Sequence, residues 1–381
     1  MGPLAGVRII EIAGLGAAPY GCMMLADMGA EVVRIERPGG SATPDRSPLL
    51  RNRRSMALDL RSAQGRDTVL AMVAKADVLI EAFRPGVAER LGIGPQECLE
   101  RNAKLVYARM TGWGQTGPLA QRAGHDLNYI GLTGLLHQIG VLQGKPVVPL
   151  NVIGDFGGGG MLLAFGVVCA LLEARASQRG QVVDVAMIDG ALSFMAMFFG
   201  FRQQGAFDDR TGSHLLGGAA PYYDVYETLD GKYLAVAPIE PQFYRAFVTT
   251  MGLDAERFLR AGYPALDRNV IAHEWPALKR ELIAIFKTQT RDEWLARFAD
   301  EDACVSPVLT LAEAAQHPHN QARSMFIDVD GVQQNAPAPR FSRTAPAAPR
   351  PPRQPGMDTL QVLRDWGVDQ SSLDAQPLRT S

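Results

Sequence analysis

The sequence predicts an α/β protein, with a large Rossmann-like domain on a mostly parallel sheet and a smaller α/β domain after it. Two observations carry that expectation. Short apolar runs alternate with stretches of helical apolar spacing from residue 7 to residue 185, and over residues 208–224 glycine and polar residues replace an apolar helix. A chain of 381 residues has room for two or three domains. Hydrophobic residues at 47% and charged residues at 20% fit a soluble globular protein, and a net charge of -2 argues against a general nucleic-acid binder.

Residues 7–13 form a short apolar run, residues 17–29 carry helical spacing and residues 31–35 are strand-like, which makes one βαβ unit. The alternation continues with a helix over 63–74, a strand over 78–80, a helix near 87–91 and a strand over 105–110. NVIGDFGGGGM, residues 151–161, reads as a glycine-rich turn that opens a core helix ending near Arg175. A strand over 182–185 and one long apolar helix over 188–203 follow. The apolar run 157–172 is shorter than a membrane span, so it reads as a core helix and no membrane association is expected.

Beyond the linker, GKYLAVAPIEPQFYRAFVTTMG predicts a strand and a helix, and TRDEWLARFADEDACVSPVLTLAEAAQHP a helix, a strand and a helix. A proline-rich extended segment then leads to a final helix over 359–366. The expected organisation is therefore a large domain over 1–187, a long helix and linker over 188–224, a small domain over 225–325, and over 326–381 a proline-rich linker and C-terminal helix.

Cys22, Cys98, Cys169 and Cys304 lie far apart, without the spacing of a zinc site or a disulfide framework, and MGPLAGVRIIEIAG has neither the basic start nor the apolar core of a secretory signal. A reducing cytoplasm is expected. His317 and His319 in HPHN have no accompanying carboxylate or cysteine cluster, so no metal is expected.

GLGAAP, residues 14–19, follows the first strand with Glu36 about twenty residues on, and imitates a dinucleotide-binding fingerprint. Pro19 takes the place of the third glycine, so the match is partial. Arg37, Arg51, Arg53, Arg54, Arg84 and Arg90 concentrate positive charge in the first hundred residues, near the strand ends where such sheets bind ligands. Arginine forks match phosphate oxygens, so a polyphosphorylated, nucleotide-like ligand is expected.

Asp155 stands directly before four glycines. It is either the cap of a tight strand-to-helix turn or an ionised base beside a glycine-walled pocket. The glycines run into Met161 rather than into Lys and Ser or Thr, so this is not a nucleotide phosphate loop. His125 is either a core histidine or an acid/base group, and Glu240, between Ile239 and Pro241, is either a loop acid or a partner for an imidazole. Met187, Met195 and Met197 lie at helical spacing, as core residues or as a soft acyl surface.

Several stretches together are similar to the family of class III CoA-transferases and α-methylacyl-CoA racemases. They are LAGVRIIEIAG, GAEVVRIERPGG, RNRRSMALDLRS, ADVLIEAFRPGVAERLGIG, LVYARMTGWGQTGP, GHDLNYIGLTG, GDFGGGGM, APRFSRT and GMDTLQVLRDWG, and they span nearly the whole chain. The resemblance implies an intertwined, ring-like homodimer, with the active site between the large domain of one chain and the small domain of its partner. It implies a CoA site of Arg37, Leu58, Asp59, Leu60, Arg61, Ala82, Phe83, Arg84, Arg90, Gly124, Asp126, Leu127, Asn128 and Tyr129. CoA would enter as part of an acyl-CoA substrate, with no other cofactor.

In the transferases of this family the aspartate matching Asp155 resembles a nucleophile that carries the acyl group. In the racemases it exchanges a proton, together with residues matching His125 and Glu240. All three are present here, so epimerisation of the 2-methyl carbon of a branched acyl-CoA is the expected activity. The chemistry agrees, because inverting a carbon next to a thioester carbonyl needs one acid/base group on each face of a planar enolate. The glycine amides after Asp155 would then stabilise the enolate oxygen. The alternatives are acyl transfer through Asp155, CoA binding without catalysis and, most remotely, a dehydrogenase.

Overall fold

The computed structural model describes residues 2–39, 46–262 and 273–369. Positions 40–45, 263–272 and 370–381, which fall within the expected large domain, small domain and C-terminal segment, lie outside the described residues. The chain forms two compact units, one of Met1–Thr133, Pro149–Met195 and Ser324–Ser381, the other of Gly134–Val148 and Ala196–Arg323.

The larger unit is built on six parallel strands, β1 (Arg8–Ile12), β2 (Glu31–Glu36), β3 (Arg53–Ala57), β4 (Val78–Glu81), β5 (Val106–Thr111) and β6 (Gln181–Ala186). Their order is β3-β2-β1-β4-β5-β6, that of a doubly wound dinucleotide-binding sheet. Both faces are buried, as a parallel sheet requires: Ile9, Val32 and Val106 pack with one core cluster, and Ile10, Val33 and Tyr107 with another. The helices of its first part are α1 (Ala17–Asp27), α2 (Ala63–Val73), α3 (Val87–Arg90), α4 (Pro95–Arg101) and α5 (Asp126–Leu132). Strand order reverses between β1 and β4, where Gly14 meets the Ala82 side chain, so a crevice is expected beyond the carboxyl ends of these two strands.

Strand β3 is missing from the sequence-based expectation, because RRSMA has no apolar alternation. Ion pairs let it enter the sheet. Arg53 donates to buried Glu11 on β1 (3.0 Å), Arg54 pairs with Glu31 on β2 (2.8 Å), and Arg34 joins Glu11 from the other side (2.6 Å). Breaking a buried pair of this kind typically costs about 3–5 kcal/mol, since one charge is left uncompensated.

The segment expected to be a glycine-rich turn is instead a ten-residue π-helix, Val152–Met161, that runs directly into the helix Leu162–Ser177. Packing explains the glycines. A Cβ on Gly160 would lie 2.5 Å from the Ala17 carbonyl oxygen of α1, and one on Gly158 would lie 2.7 Å from the Ala191 amide nitrogen of the helix Met187–Ser193. The continuous stretch Val152–Ser177 has 26 residues and contains an 18-residue window of mean hydropathy 1.8, long and apolar enough to cross a membrane by length and composition. That corrects the expectation drawn from its length. Leu163, Val167, Ala170, Leu171 and Ala174 nevertheless pack into the sheet's core, while Phe165 and Leu172 on the other side are 66% and 72% exposed.

The single helix expected over 188–203 is two, Met187–Ser193 and Ala196–Gln203, with a turn at the boundary between the units. Its first half is tied to the π-helix by the Gly158–Gly190 contact, whereas its second half belongs to the smaller unit.

Residues from Ser324 onward belong to the larger unit. Fully buried Arg51 bonds Asp27 (3.0 Å), the Gln334 side chain (2.8 Å) and the Asn335 carbonyl (2.8 Å), which anchors the hairpin Phe326–Val329/Val332–Asn335. The chain then runs along the open edge of β3, where the Asn52 amide donates to the Arg350 carbonyl, the Asp358 amide donates to the Ser55 carbonyl, and the Ser55 amide donates to the Asp358 carboxylate. The helix Thr359–Trp366 buries Val362, Leu363 and Trp366 in the sheet's second core cluster.

The smaller unit has an antiparallel sheet of β7 (Asp224–Glu227), β8 (Tyr233–Val236) and β9 (Val305–Val308) around a core that includes Tyr226, Phe247, Phe286 and Trp294.

The glycine packing makes a direct prediction. A Cβ on Gly190 would lie 1.9 Å from the Gly158 carbonyl oxygen, so Gly190→Ala forces two backbones apart and is expected to cost at least about 1–3 kcal/mol. Gly200→Ala, with open space at its Cβ, is expected to be neutral or to stabilise by up to about 1 kcal/mol. Urea midpoints of the two variants read both effects.

Candidate active site

All six strands point the same way, so the turns that follow them share one edge of the sheet. Arg37 follows β2, Leu58 to Arg61 follow β3, and Ala82 to Arg84 follow β4. Leu58 is buried, Asp59 holds its own turn by accepting from the Arg61 amide (3.0 Å), and Leu60 packs at the core's margin. Phe83 is fixed through its amide, which donates to buried Glu81 (2.6 Å), and Glu81 is held by Arg109 (2.8 Å).

The structure sorts the arginines of the basic cluster into two groups. Arg51 and Arg53 are buried and Arg54 is half-buried, and all three are engaged with carboxylates, which corrects their assignment to a phosphate site. Arg37, Arg61, Arg84 and Arg90 have exposed side chains on or near the edge where the strands end.

His125 is the residue before the first turn of α5, with an extended backbone and an exposed side chain. Its amide donates to the Asn128 side chain (3.0 Å). One residue earlier, the Gly124 carbonyl accepts from the Tyr129 hydroxyl, and the Tyr129 ring lies edge-on to Trp113 with centroids 4.8 Å apart. A Cβ on Gly124 would lie 2.8 Å from both rings, so glycine is needed for this turn to pack. Leu127 is exposed on the first turn of α5.

Asp155 is in the first half of the π-helix, half-buried, with the Asn151 amide donating to its Oδ2 (3.0 Å). The same oxygen lies 3.4 Å from where a Gly16 Cβ would be, so Asp155 faces the GLGAAP turn after β1. The two candidate bases are joined through Asp126. Its buried carboxylate accepts from the Gly154 amide (2.5 Å) and the Asp155 amide (2.7 Å). Burial pushes the Tyr129 phenol above its ordinary pKa, the charge of Asp155 adds to the shift, and Arg84 opposes it. The backbones at His125 and Asp155 are thus linked through Asp126, and Asp155 and Arg84 lie within electrostatic reach of Tyr129.

Glu240 belongs to the smaller unit, at the end of the turn after β8, and caps the helix Pro241–Met251 with its backbone. Its side chain is exposed. Asn151, bonded to Asp155, is a candidate site residue absent from the sequence-based expectation. Its signal was the spacing of four to Asp155, which places both on one side of a helix once the segment is read as helical. The expected enolate donors need correction too. In the π-helix the amides of Gly157 to Gly160 are committed to carbonyls five residues back, so they are not free to bind an oxyanion.

Residues 4–359 match CoA-transferase family III. The chain belongs to that family. Among curated proteins, it is 42% identical over 373 residues to the alpha-methylacyl-CoA racemase of Mus musculus, covering 97% of this chain and 95% of the relative. The alpha-methylacyl-CoA racemase of Homo sapiens is 36% identical over the same shares. The crystal structure of a CAIB/BAIF family protein from Brucella suis aligns with a TM-score of 0.80 at 26% identity, over 96% of this chain and 99% of that one. Among the described residues, no group of three or more His, Cys, Asp or Glu side chains is arranged to hold a metal ion.

Proposed function

We propose that this chain is an α-methylacyl-CoA racemase, which inverts the 2-methyl carbon of branched acyl-CoA thioesters. The observation that carries the reading is the joining of His125 and Asp155 through one buried carboxylate, in a chain 42% identical to a racemase over 97% of its length. One base removes the α-proton, the enolate is held planar, and the other base returns a proton to the opposite face. Each such group typically contributes about 10²–10⁴-fold. Asn151 holds the Asp155 carboxylate by donating to it, while Glu240 would orient and charge-stabilise the imidazole of His125. Charge on the enolate oxygen must be met by donors other than the glycine run.

CoA enters as part of the substrate, and the reaction consumes no other cofactor. Its phosphates would meet Arg37, Arg84 and Arg90, with Arg61 nearby, and the turns at 58–61, 82–84 and 124–129 would line its path. A cytoplasmic homodimer is part of the reading. It is supported by the apolar side chains left bare on the helix Leu162–Ser177, with Phe165 and Leu172 among them, since a patch of this kind marks a contact surface. An interlocked arrangement, with Glu240 supplied by the partner's smaller unit, follows from the family resemblance.

Three outcomes test this reading. In deuterated water each epimer of a 2-methylacyl-CoA is expected to gain deuterium at the α-carbon as it inverts. His125→Ala and Asp155→Ala are each expected to lower net inversion by roughly 10²–10⁴-fold with little change in thioester binding, because only the transition state needs the missing group. A wild-type protein that moves CoA between acids and washes in no deuterium is a transferase acting through Asp155. One that binds CoA and does neither is a binding protein.

Ala variants of Arg37, Arg84 and Arg90 are expected to raise KM for the thioester far more than they lower kcat, since a phosphate contact is present in ground and transition states alike. Unchanged KM in all three refutes the assignment. Sedimentation at micromolar concentration is expected to show a dimer, and an active, folded monomer contradicts it.

A further inference from the structure

Asp126 spends its side chain on protein rather than on ligand. The side chain is buried, the residue being 4% exposed, and Oδ2 accepts from two consecutive amides, those of Gly154 and Asp155, at 2.5 and 2.7 Å. Its other oxygen, Oδ1, is buried without a hydrogen-bond partner among the described residues. Burial pushes the Asp126 pKa up and the two amides hold it back, so the amides are what offset the cost of placing a carboxylate there.

The main chain is shaped to allow this contact. A Cβ on Gly154 would lie 2.8 Å from Oδ2 and 2.9 Å from Cγ of Asp126, so any larger residue at 154 displaces the carboxylate. A carboxylate that accepts first-turn amides is, taken alone, an ordinary helix cap. Here the capping residue directly follows His125, and one capped amide belongs to Asp155. From one base to the other the path is a single peptide bond, one side chain and one hydrogen bond.

We propose that the Asp126 carboxylate is a positioning residue that sets the separation and orientation of His125 and Asp155. The proposal rests on the racemase reading above. It also changes the role expected for Asp126, whose Oδ2 is engaged by two main-chain amides rather than by a ligand. Two-base inversion is sensitive to such a device in a way that one-face exchange is not. Both bases must address the same carbon from opposite sides, and a displacement of about 1 Å can cost ~10²-fold in rate.

The test compares Asp126→Ala, Asp126→Asn and Gly154→Ala with the wild type, on a 2-methylacyl-CoA in deuterated water, by the ratio of net inversion to α-proton exchange. Asp126→Ala is expected to lower that ratio by about 10–100-fold, with KM within a few-fold of wild type. Asp126→Asn keeps a carbonyl oxygen to accept both amides, and its ratio is expected to stay within about 10-fold of wild type. Gly154→Ala is expected to resemble Asp126→Ala, and the double variant to be no worse than either, because both changes remove one contact. A wild-type ratio in Asp126→Ala overturns the proposal, as does an equal fall of inversion and exchange in all three variants.

A second readout separates this proposal from the racemase reading. Amide hydrogen exchange at Gly154 and Asp155 is expected to be slow in the wild type and fast in Asp126→Ala. If the wild type exchanges no α-proton, the functional reading fails, and these two amides alone decide whether the clamp exists. Equal protection in both proteins then refutes it.

Discussion

The candidate site depends on how closely the π-helix Val152–Met161 approaches its neighbours. Four consecutive glycines cost a helix roughly 2–4 kcal/mol in conformational entropy relative to alanine, and nothing local repays it. The compensation is tertiary. The backbone lies against α1 through Gly21 and Gly160 and against the helix Met187–Ser193 through Gly158 and Gly190, at separations that no side chain permits. With that contact made, the first turn of the π-helix comes to the carboxyl edge of the sheet, and Asp155 faces the turn at Gly16. The glycines thus hold Asp155 in place by being absent as side chains.

Charge is divided in the same economical way. Buried Glu11 takes Arg34 and Arg53, Asp27 takes Arg51, and Glu81 takes Arg109, so the cations inside the larger unit are already neutralised. The arginines on the turns after the strands have exposed side chains and can meet an anionic ligand. A net charge near zero therefore coexists with a basic edge.

The parallel sheet was legible because β1, β2, β4 and β5 are apolar runs separated by helical periods, and their bounds agree with the sequence reading to within a few residues. Strand β3 was not, since Arg53 and Arg54 become strand residues only through carboxylates on β1 and β2, a long-range fact invisible in local pattern. The glycine run was misread as a turn for the related reason that glycine's local preference and its packing value point to opposite structures. Similarly, the break near Met195 carries no proline or glycine, and it marks the change from one unit to the other. At the site, residue types that carry chemistry, His125 and Asp155, stood out in the sequence. Asp126 stood out only by its neighbour, because a carboxylate that serves the backbone has no signature without the fold.

The larger unit is closed by residues far along the chain, and this orders its folding in time. During synthesis β1 to β6 emerge first, but β3 keeps an unpaired edge, and Arg51 lacks Gln334 and Asn335, until the segment from Ser324 to Trp366 arrives. Most of the smaller unit, Ala196–Arg323, is contiguous and complete before then. The nascent protein must therefore carry an open sheet past a finished domain, an interval in which an exposed strand edge is open to wrong partners. The last helix acts as the closing stitch, and its late arrival makes the largest part of the molecule the last to become native.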